Sequence, residues 1–371
     1  MEFRKCQMEN LVMEKLFKGI YGNKKVLLTG HSGFKGSWLL SWLQQLGATV
    51  KGYSLMPATE PAHLRLLDLF DPSSVGDINN AGQLNQAFAA FQPDIVFHLA
   101  AQPLVRRSYA EPLETFQTNI IGTANVLHAV ANTASVKAVV NITTDKVYQN
   151  HEWTWPYRET DTLGGHDPYS TSKACVELVH ESFRKSFFAA AGKLSVTARA
   201  GNVIGGGDWA EDRLIPDVIR ATVQSGAASI RNPQSIRPWQ HVLDPLSGYL
   251  LLGQRLLLGD SSAEGSWNFG PDIKDCLSVA EVLDELNKHW SGIQWKNVSD
   301  NKKPHESNLL RLDCSKALHE LNWTPVWNVR NAIAITAEWY RRFYEDKQVS
   351  SLQDIKQYVG DAKAQQLTWA V

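Results

Sequence analysis

Between Val26 and Gly36 the chain passes from the apolar run Val26-Leu27-Leu28-Thr29 straight into three glycines, Gly30, Gly33 and Gly36, and then into a helical stretch. No other feature narrows the fold as much. A buried strand that ends in a GxxGxxG turn and opens a helix reads as the first unit of a parallel βαβ fold. The alternation then continues. Helices are predicted over 37–46, 83–91, 119–131 and 169–188, and strands over 49–53, 93–99, 136–143 and 194–200. This pattern predicts an α/β fold, a Rossmann-type doubly wound parallel sheet covered by helices on both faces. Such sheets bind ligands at the carboxyl ends of their strands.

A chain of 371 residues is long for one unit and suggests two lobes. The texture changes after Gly205, where glycine, proline and tryptophan cluster in GGGDWAEDRLIPD and IRNPQSIRPWQHV. We expect an N-terminal extension (1–24) and a dinucleotide-binding domain (25–204). A smaller mixed α/β lobe (205–349) follows, discontinuous enough to return elements to the first domain, and then a tail (350–371). The extension can form a short amphipathic helix, and the tail a final helix or a frayed end. A formal charge of −1 gives no global field for nucleic acid or an anionic membrane. No apolar run reaches the roughly 20 residues of a membrane helix, and the charged N-terminus has no signal-peptide core. Cys6, Cys175, Cys276 and Cys314 are scattered without metal spacing. They read as free thiols of a reducing, cytoplasmic compartment, with no metal site.

The glycines let a backbone approach a pyrophosphate, and the helix N-terminus adds donors and a positive dipole. About 20 residues past such a loop an NAD-binding fold usually carries an acid for the ribose hydroxyls. Here the second strand ends Gly52-Tyr53-Ser54, so this chemistry does not choose between NAD and NADP. His31 and Lys35 are unusual in the loop; Lys35 is either a ligand of a cofactor phosphate or a solvated loop lysine. Asp77-Ile78 lies in a loop after the third predicted strand region, where an aspartate can accept from an adenine amino group. Asn119 either contacts the cofactor or caps a helix, the commoner role of Asn at such a place.

Tyr169 and Lys173 are four apart on one predicted helix, hence on one face. A nearby ammonium favours the phenolate, which can take a proton from a sugar hydroxyl. The strand ending at Thr143-Thr144-Asp145-Lys146 should face it. Thr143 or Thr144 can hold a substrate hydroxyl. Asp145 is a candidate acid, and Lys146 a candidate base or charge stabiliser; elsewhere, Asp-Lys after a strand is more often a turn.

The glycine loop, Leu99-Ala-Ala-Gln, TTDKVY, YSTSK and IRPWQHV together resemble the extended short-chain dehydrogenase/reductase superfamily over 25–344. Within it, THxGFKGSW-like Thr29–Trp38, GYSL, GGGDW and RPWQHV resemble the CDP-glucose branch of the sugar-nucleotide 4,6-dehydratases. Those dehydratases generally carry Thr-Asp-Glu where this chain has Thr144-Asp145-Lys146, and the lysine resembles the CDP-glucose branch. The resemblance implies bound NAD, held also by Phe34, Leu99, Ala100 and Ala101. It implies CDP-glucose as substrate, a homodimer through helices of the larger lobe or a homotetramer, and a role in dideoxysugar and O-antigen precursors. It implies that Tyr169 starts oxidation at C4, that Asp145 protonates the departing 6-hydroxyl, and that Lys146 takes the C5 proton or stabilises the enolate.

The substrate's pyrophosphate calls for arginine forks. Arg237 is the first candidate and Arg231 the second; Arg213 shares the same loops, Asn202 follows the strand ending Arg199-Ala-Gly, and His241 is weaker. Trp209 and Trp239 can line the base or sugar pocket, though tryptophan more often packs. Two rivals stand beside this reading. A 4-epimerase of the same fold needs Tyr169 but has no use for Asp145 and Lys146. A non-catalytic dinucleotide-binding sensor or scaffold would not need the intact Tyr169–Lys173 pair.

Overall fold

A computed structural model describes residues 13–298 and 309–371. Six strands make one parallel sheet, introduced here with the helices between them: β1 (Lys25–Thr29), α1 (Phe34–Gln45), β2 (Thr49–Tyr53), α2 (Ala81–Phe91), β3 (Ile95–His98), α3 (Gly122–Asn132), β4 (Ala138–Ile142), α4 (Pro168–Phe183), β5 (Leu194–Ala200), α5 (Leu243–Leu257) and β6 (Gly265–Phe269). The order across the sheet is β6-β5-β4-β3-β1-β2. Val75 adds a single parallel bridge to Ser54 beyond β2. β3 and β4 are buried along their whole length, as strands covered on both faces must be, which is why they read as unbroken apolar runs. Chain order reverses between β1 and β3, so the loops after these strands part and leave a crevice at the carboxyl edge.

α5 and β6 come from the second half of the chain yet complete the sheet domain: β6 pairs with β5 from Gly265↔Val196 to Phe269↔Ala200. Around the cleft the described residues of the second lobe form short strand pairs. Ile236–Pro238 runs antiparallel to Cys276–Ser278, and Ala227–Ile230 runs parallel to Gln294–Asn297.

The two ends of the described chain meet. Phe17 is fully buried and stacks on Trp369 at 5.1 Å, and its N–H donates to the Trp369 carbonyl. Trp42 of α1 packs edge-on against Trp369 and Tyr358. Tyr358 belongs to a final helix, Ser351–Ala364, and Leu16–Gly19 is a single 3₁₀ turn. Residues on both sides of the dinucleotide-binding half therefore contribute to one core. Cys175, Cys276 and Cys314 are free thiols, and Cys6 lies outside the described residues. Among the described residues no helix is long and apolar enough to cross a membrane, and no group of His, Cys, Asp or Glu could hold a metal ion.

Candidate active site

A cleft of about 1250 Å³ runs along the carboxyl edge of the sheet and under the second lobe. That volume exceeds the roughly 300–1,000 Å³ of a typical single-ligand pocket. Its floor is the glycine loop. Gly30 sits at φ +72°, and a Cβ there would lie 2.6 Å from the Ala100 nitrogen; a Cβ on Gly36 would lie 2.2 Å from the Gly30 oxygen. Both are glycine because backbone passes backbone. Gly33 differs: a Cβ would meet only the Gly30 oxygen, at 3.4 Å, and it opens α1 with no side-chain cap. The uncapped N–H groups of α1 thus face the cleft, a cradle suited to a dinucleotide pyrophosphate.

Leu99, Ala100 and Ala101 line the cleft beside this loop, with Phe34, Asp77 and Ile78. The Ala100 N–H donates to Thr29 Oγ1, which also bonds His98 Nδ1 at 2.7 Å, locking the ends of β1 and β3. Asp77 is held by the Asn79 N–H at 2.9 Å. Where an acid would meet the ribose, Ser54 instead bonds His31 Nδ1 at 3.0 Å, and Ser74 bonds His31 Nε2 at 3.0 Å. Burial pulls His31 down to about 4, so it is a neutral brace between two hydroxyls.

Of the two readings open for Lys35 one falls away, and Asn119 departs from both of its own. Lys35 is not a solvated loop lysine: its Nζ lies 5.9 Å over the Tyr249 ring, and burial pulls it down to about 8, opposed by the charge of Asp145. Asn119 is neither a helix cap nor a wall of the cleft. It is fully buried in a π-helical turn, Gln117–Ile121, where its amide accepts from the Gln102 N–H and donates to the Gln102 carbonyl and Ser172 Oγ. It clamps the strand-end loop to α4 from behind.

α4 begins where the sequence can cap it. Asp167 accepts from the Ser170 N–H at 2.9 Å, and Pro168 fills the first turn, where no donor is needed. This sets Tyr169 and Lys173 on the face toward the cleft, both lining it with Thr143, Thr144, Asp145 and Lys146. The Thr144 hydroxyl donates to Asp145 Oδ1 at 3.0 Å and accepts from the Lys146 N–H at 3.3 Å, so the segment turns as one short 3₁₀ unit. Burial pushes the Asp145 carboxyl up, opposed first by Lys146, which favours the protonated form an acid requires. Lys146 itself is only partly buried. Burial pushes Tyr169 up to about 12, opposed first by a hydrogen bond with Thr144, while Lys173 is pulled down to about 8 by burial and donates to the Ile142 carbonyl at 3.3 Å.

On the second-lobe side of the cleft Asn202, Arg213, Arg231 and Arg237 all line the wall. Arg213 pairs with Asp208 at 2.8 Å, Arg231 lies 3.8 Å from Asp212, and Arg237 Nη1 donates to its neighbour's carbonyl, Ile236 O, at 3.0 Å. Trp209 and Trp239 reach the cleft but are 5% exposed, each with its indole N–H spent on Tyr344 or Leu277. His241 does not reach it. The ring is fully buried at 4.8 Å from Trp327, and burial holds it neutral, down at about 3. Sequence reasoning missed Arg106, a cleft residue that spans to the second lobe through Asp212 at 2.7 Å. The doublet Arg106-Arg107 just after Leu99-Ala-Ala-Gln was the available signal.

The glycine cradle, the parallel sheet and the Tyr169–Lys173 face define a nicotinamide-type dehydrogenase architecture. The family model described as GDP-mannose 4,6 dehydratase matches residues 27–336, and the chain belongs to that family. It is 46% identical over 351 residues to a CDP-glucose 4,6-dehydratase of Salmonella typhimurium, covering 92% of this chain and 98% of that one. A dTDP-glucose 4,6-dehydratase of Shigella flexneri is 26% identical, covering 85% and 92%. Among solved structures, a dTDP-glucose 4,6-dehydratase from Streptomyces venezuelae with NAD and TYD bound aligns at a TM-score of 0.71 and 26% identity, covering 87% of this chain and all of that one. A UDP-glucose 4-epimerase from Thermotoga maritima shares the fold at a TM-score of 0.72 and 22% identity, covering 86% of this chain and all of that one.

Proposed function

We propose that this chain is an NAD-dependent CDP-glucose 4,6-dehydratase, a hydro-lyase that converts CDP-D-glucose to CDP-4-keto-6-deoxy-D-glucose and water. One observation carries the reading most: Thr144, Asp145 and Lys146 share a cleft wall with Tyr169 and Lys173. Oxidation alone would need only the second pair. The 46% identity with the Salmonella typhimurium enzyme supports the cytosine nucleotide, and the cradle of Gly30, Gly33 and Gly36 fits the dinucleotide.

The cradle of Gly30, Gly33 and Gly36 would hold NAD, which would supply the acceptor for the C4 hydride and its donor to C6. Tyr169 takes the proton of the 4-hydroxyl, with Thr144 holding the same oxygen. The C4 ketone then acidifies C5. Lys146 takes the C5 proton or stabilises the enolate, and Asp145, whose carboxyl burial pushes toward the protonated form, gives a proton to the 6-hydroxyl, which leaves as water. C6 receives the hydride that left C4 and C5 receives a proton, so no net oxidation remains. Lys173 orients the reacting centre from one turn below Tyr169, and Arg237, Arg231 and Arg213 hold the pyrophosphate.

A homodimer through helices of the larger domain, or a homotetramer, belongs to the same reading, with Leu113 and Leu178, 81% and 62% exposed on such helices, as candidate contacts. A cytoplasmic setting and a role in dideoxysugar and O-antigen precursors follow from the same reading. The test is mass spectrometry of the product from CDP-glucose. A product lighter by one water with no net NADH is expected. An epimer of unchanged mass would favour the 4-epimerase, steady NADH a simple dehydrogenase, and no turnover a sensor or scaffold.

A further inference from the structure

Two turns along α4 from Tyr169, Glu177 is 4% exposed, and its carboxylate is surrounded by donors. Thr143 Oγ1 donates to it at 2.5 Å and Thr197 Oγ1 at 2.6 Å; Arg199 Nε and Nη2 each donate at 2.9 Å. The remaining arm of Arg199, Nη1, donates to the Tyr148 hydroxyl at 2.7 Å and to the Glu159 carbonyl at 3.2 Å, with the guanidinium 5.0 Å from the Tyr148 ring. Tyr148 in turn donates to Asn268 Oδ1 at 2.7 Å and stacks on Tyr157 at 5.2 Å.

The connectivity has a plain reading. Residues 143–148 form one short segment, and both of its ends are tied to one ion pair: Thr143 to Glu177, Tyr148 to Arg199. Between the ends lie Thr144, Asp145 and Lys146. Glu177 stands on the same helix face as Tyr169 and Lys173, at steps of four residues. A fully buried ion pair gains little stability over apolar packing of the same volume. What a bidentate Arg–carboxylate pair supplies is fixed direction.

We propose, on the strength of the dehydratase reading, that Glu177 and Arg199 are positioning residues. They hold the segment that eliminates water in register with the helix that oxidises C4. Neither residue lines the cleft, so neither touches substrate. Their effect reaches the chemistry through Thr143 and Tyr148. The consequence is selective: loosening the tie moves Asp145 and Lys146 relative to C5 and C6 while Tyr169 stays on its helix.

The experiment uses variants that keep the fold. Tyr148→Phe retains the ring and its stack on Tyr157, and Arg199 keeps Glu177 and Glu159. Thr143→Val removes the donor to Glu177, and Thr143→Ser restores it. Single turnovers of the NAD-loaded enzyme with CDP-glucose are quenched rapidly, and mass spectrometry separates the oxidised sugar that still bears its 6-hydroxyl from the dehydrated product. For Tyr148→Phe the oxidation rate should stay within about twofold of the parent and water loss should slow on the order of 10-fold, as small misplacements do. Thr143→Val should slow water loss by about as much relative to its own oxidation rate, and Thr143→Ser should recover that ratio. Equal slowing of both steps, or no slowing of either, in enzymes whose parent dehydrates normally overturns the positioning role alone. A parent that yields an epimer or no dehydrated sugar overturns the functional reading, and the positioning role with it.

Discussion

The two ends of the cleft are built differently. At the sheet's carboxyl edge, side chains stand on β4, α4 and the glycine loop, and buried bonds such as Thr143–Glu177 and Asn119–Ser172 brace them from behind. On the second-lobe side, Arg213 and Arg231 sit on loops and are steadied by ion pairs with Asp208 and Asp212, each arginine side chain about a third exposed. Asp208 is buried, whereas the Arg231–Asp212 pair is open on both sides, and a pair of that kind contributes roughly 0–1 kcal/mol and reorganises readily. The rigid end suits bond making, where geometry errors are costly. The adjustable end suits grip, where several weak charged contacts add up.

Substitutions should separate the two ends by which constant they change. Tyr169→Phe should give the largest effect, a loss of kcat on the order of 10²–10⁴-fold with NAD binding retained, because it removes the proton acceptor. Stopped-flow turnover and equilibrium cofactor titration check both halves; activity within twofold of the parent would take Tyr169 out of its role. Lys146→Ala should spare the C4 oxidation but stall water loss, on the order of 10²-fold. Enzyme-bound NADH should then build up at its absorbance, and the deuterium that the parent carries from solvent into C5 should fall. Normal dehydration by this variant would mean that Lys146 is only a turn residue.

Arg237→Ala should act on the other constant. Loss of a charged hydrogen bond worth about 1.5–3 kcal/mol raises the dissociation constant for CDP-glucose by roughly 10- to 150-fold, with little change in the rate of the bound complex. Calorimetry reads it, and unchanged affinity would place the pyrophosphate elsewhere. The smallest effect belongs to a residue of neither end. Burial pushes Asp354, in the final helix, up to about 7 from 3.8. The folded protein therefore keeps a proton that the unfolded chain releases, and stability contributed by this group is full below about pH 4 and is lost as pH rises to about 7. Asp354→Asn should raise Tm by ~1–3 °C at pH 8, should lose that gain toward pH 4, and should leave turnover unchanged. A pH-independent shift would contradict the burial argument.

Much of the rigid end was legible because local rules act there. GxxGxxG after an apolar strand, and Tyr169 with Lys173 at helical spacing, are patterns in which the backbone itself places the side chains. Asp167-Pro168 even marks the helix start. The second-lobe side is legible only as a set of arginines near tryptophans. Spacing along a loop says nothing about which way a side chain points, so His241, the weaker candidate in the sequence, is found packed on Trp38 and Trp327.

By itself the sequence determined the alternating α/β order, the glycine cradle and the chemistry-bearing residues on α4 and at the end of β4. These follow from periodicity and from the backbone demands of glycine, which are local. Tertiary structure alone decided the rest. It returned β6 to the edge of the sheet, seated Phe17 against Trp369 across the whole chain, laid Lys35 over the Tyr249 ring, and joined Thr143 and Tyr148 through Glu177 and Arg199. Each of these is a meeting of residues distant in sequence. Such meetings are chosen by burial: an apolar ring or a charged group goes where the folded chain offers it a packed surface or a partner, and no local pattern encodes where that will be.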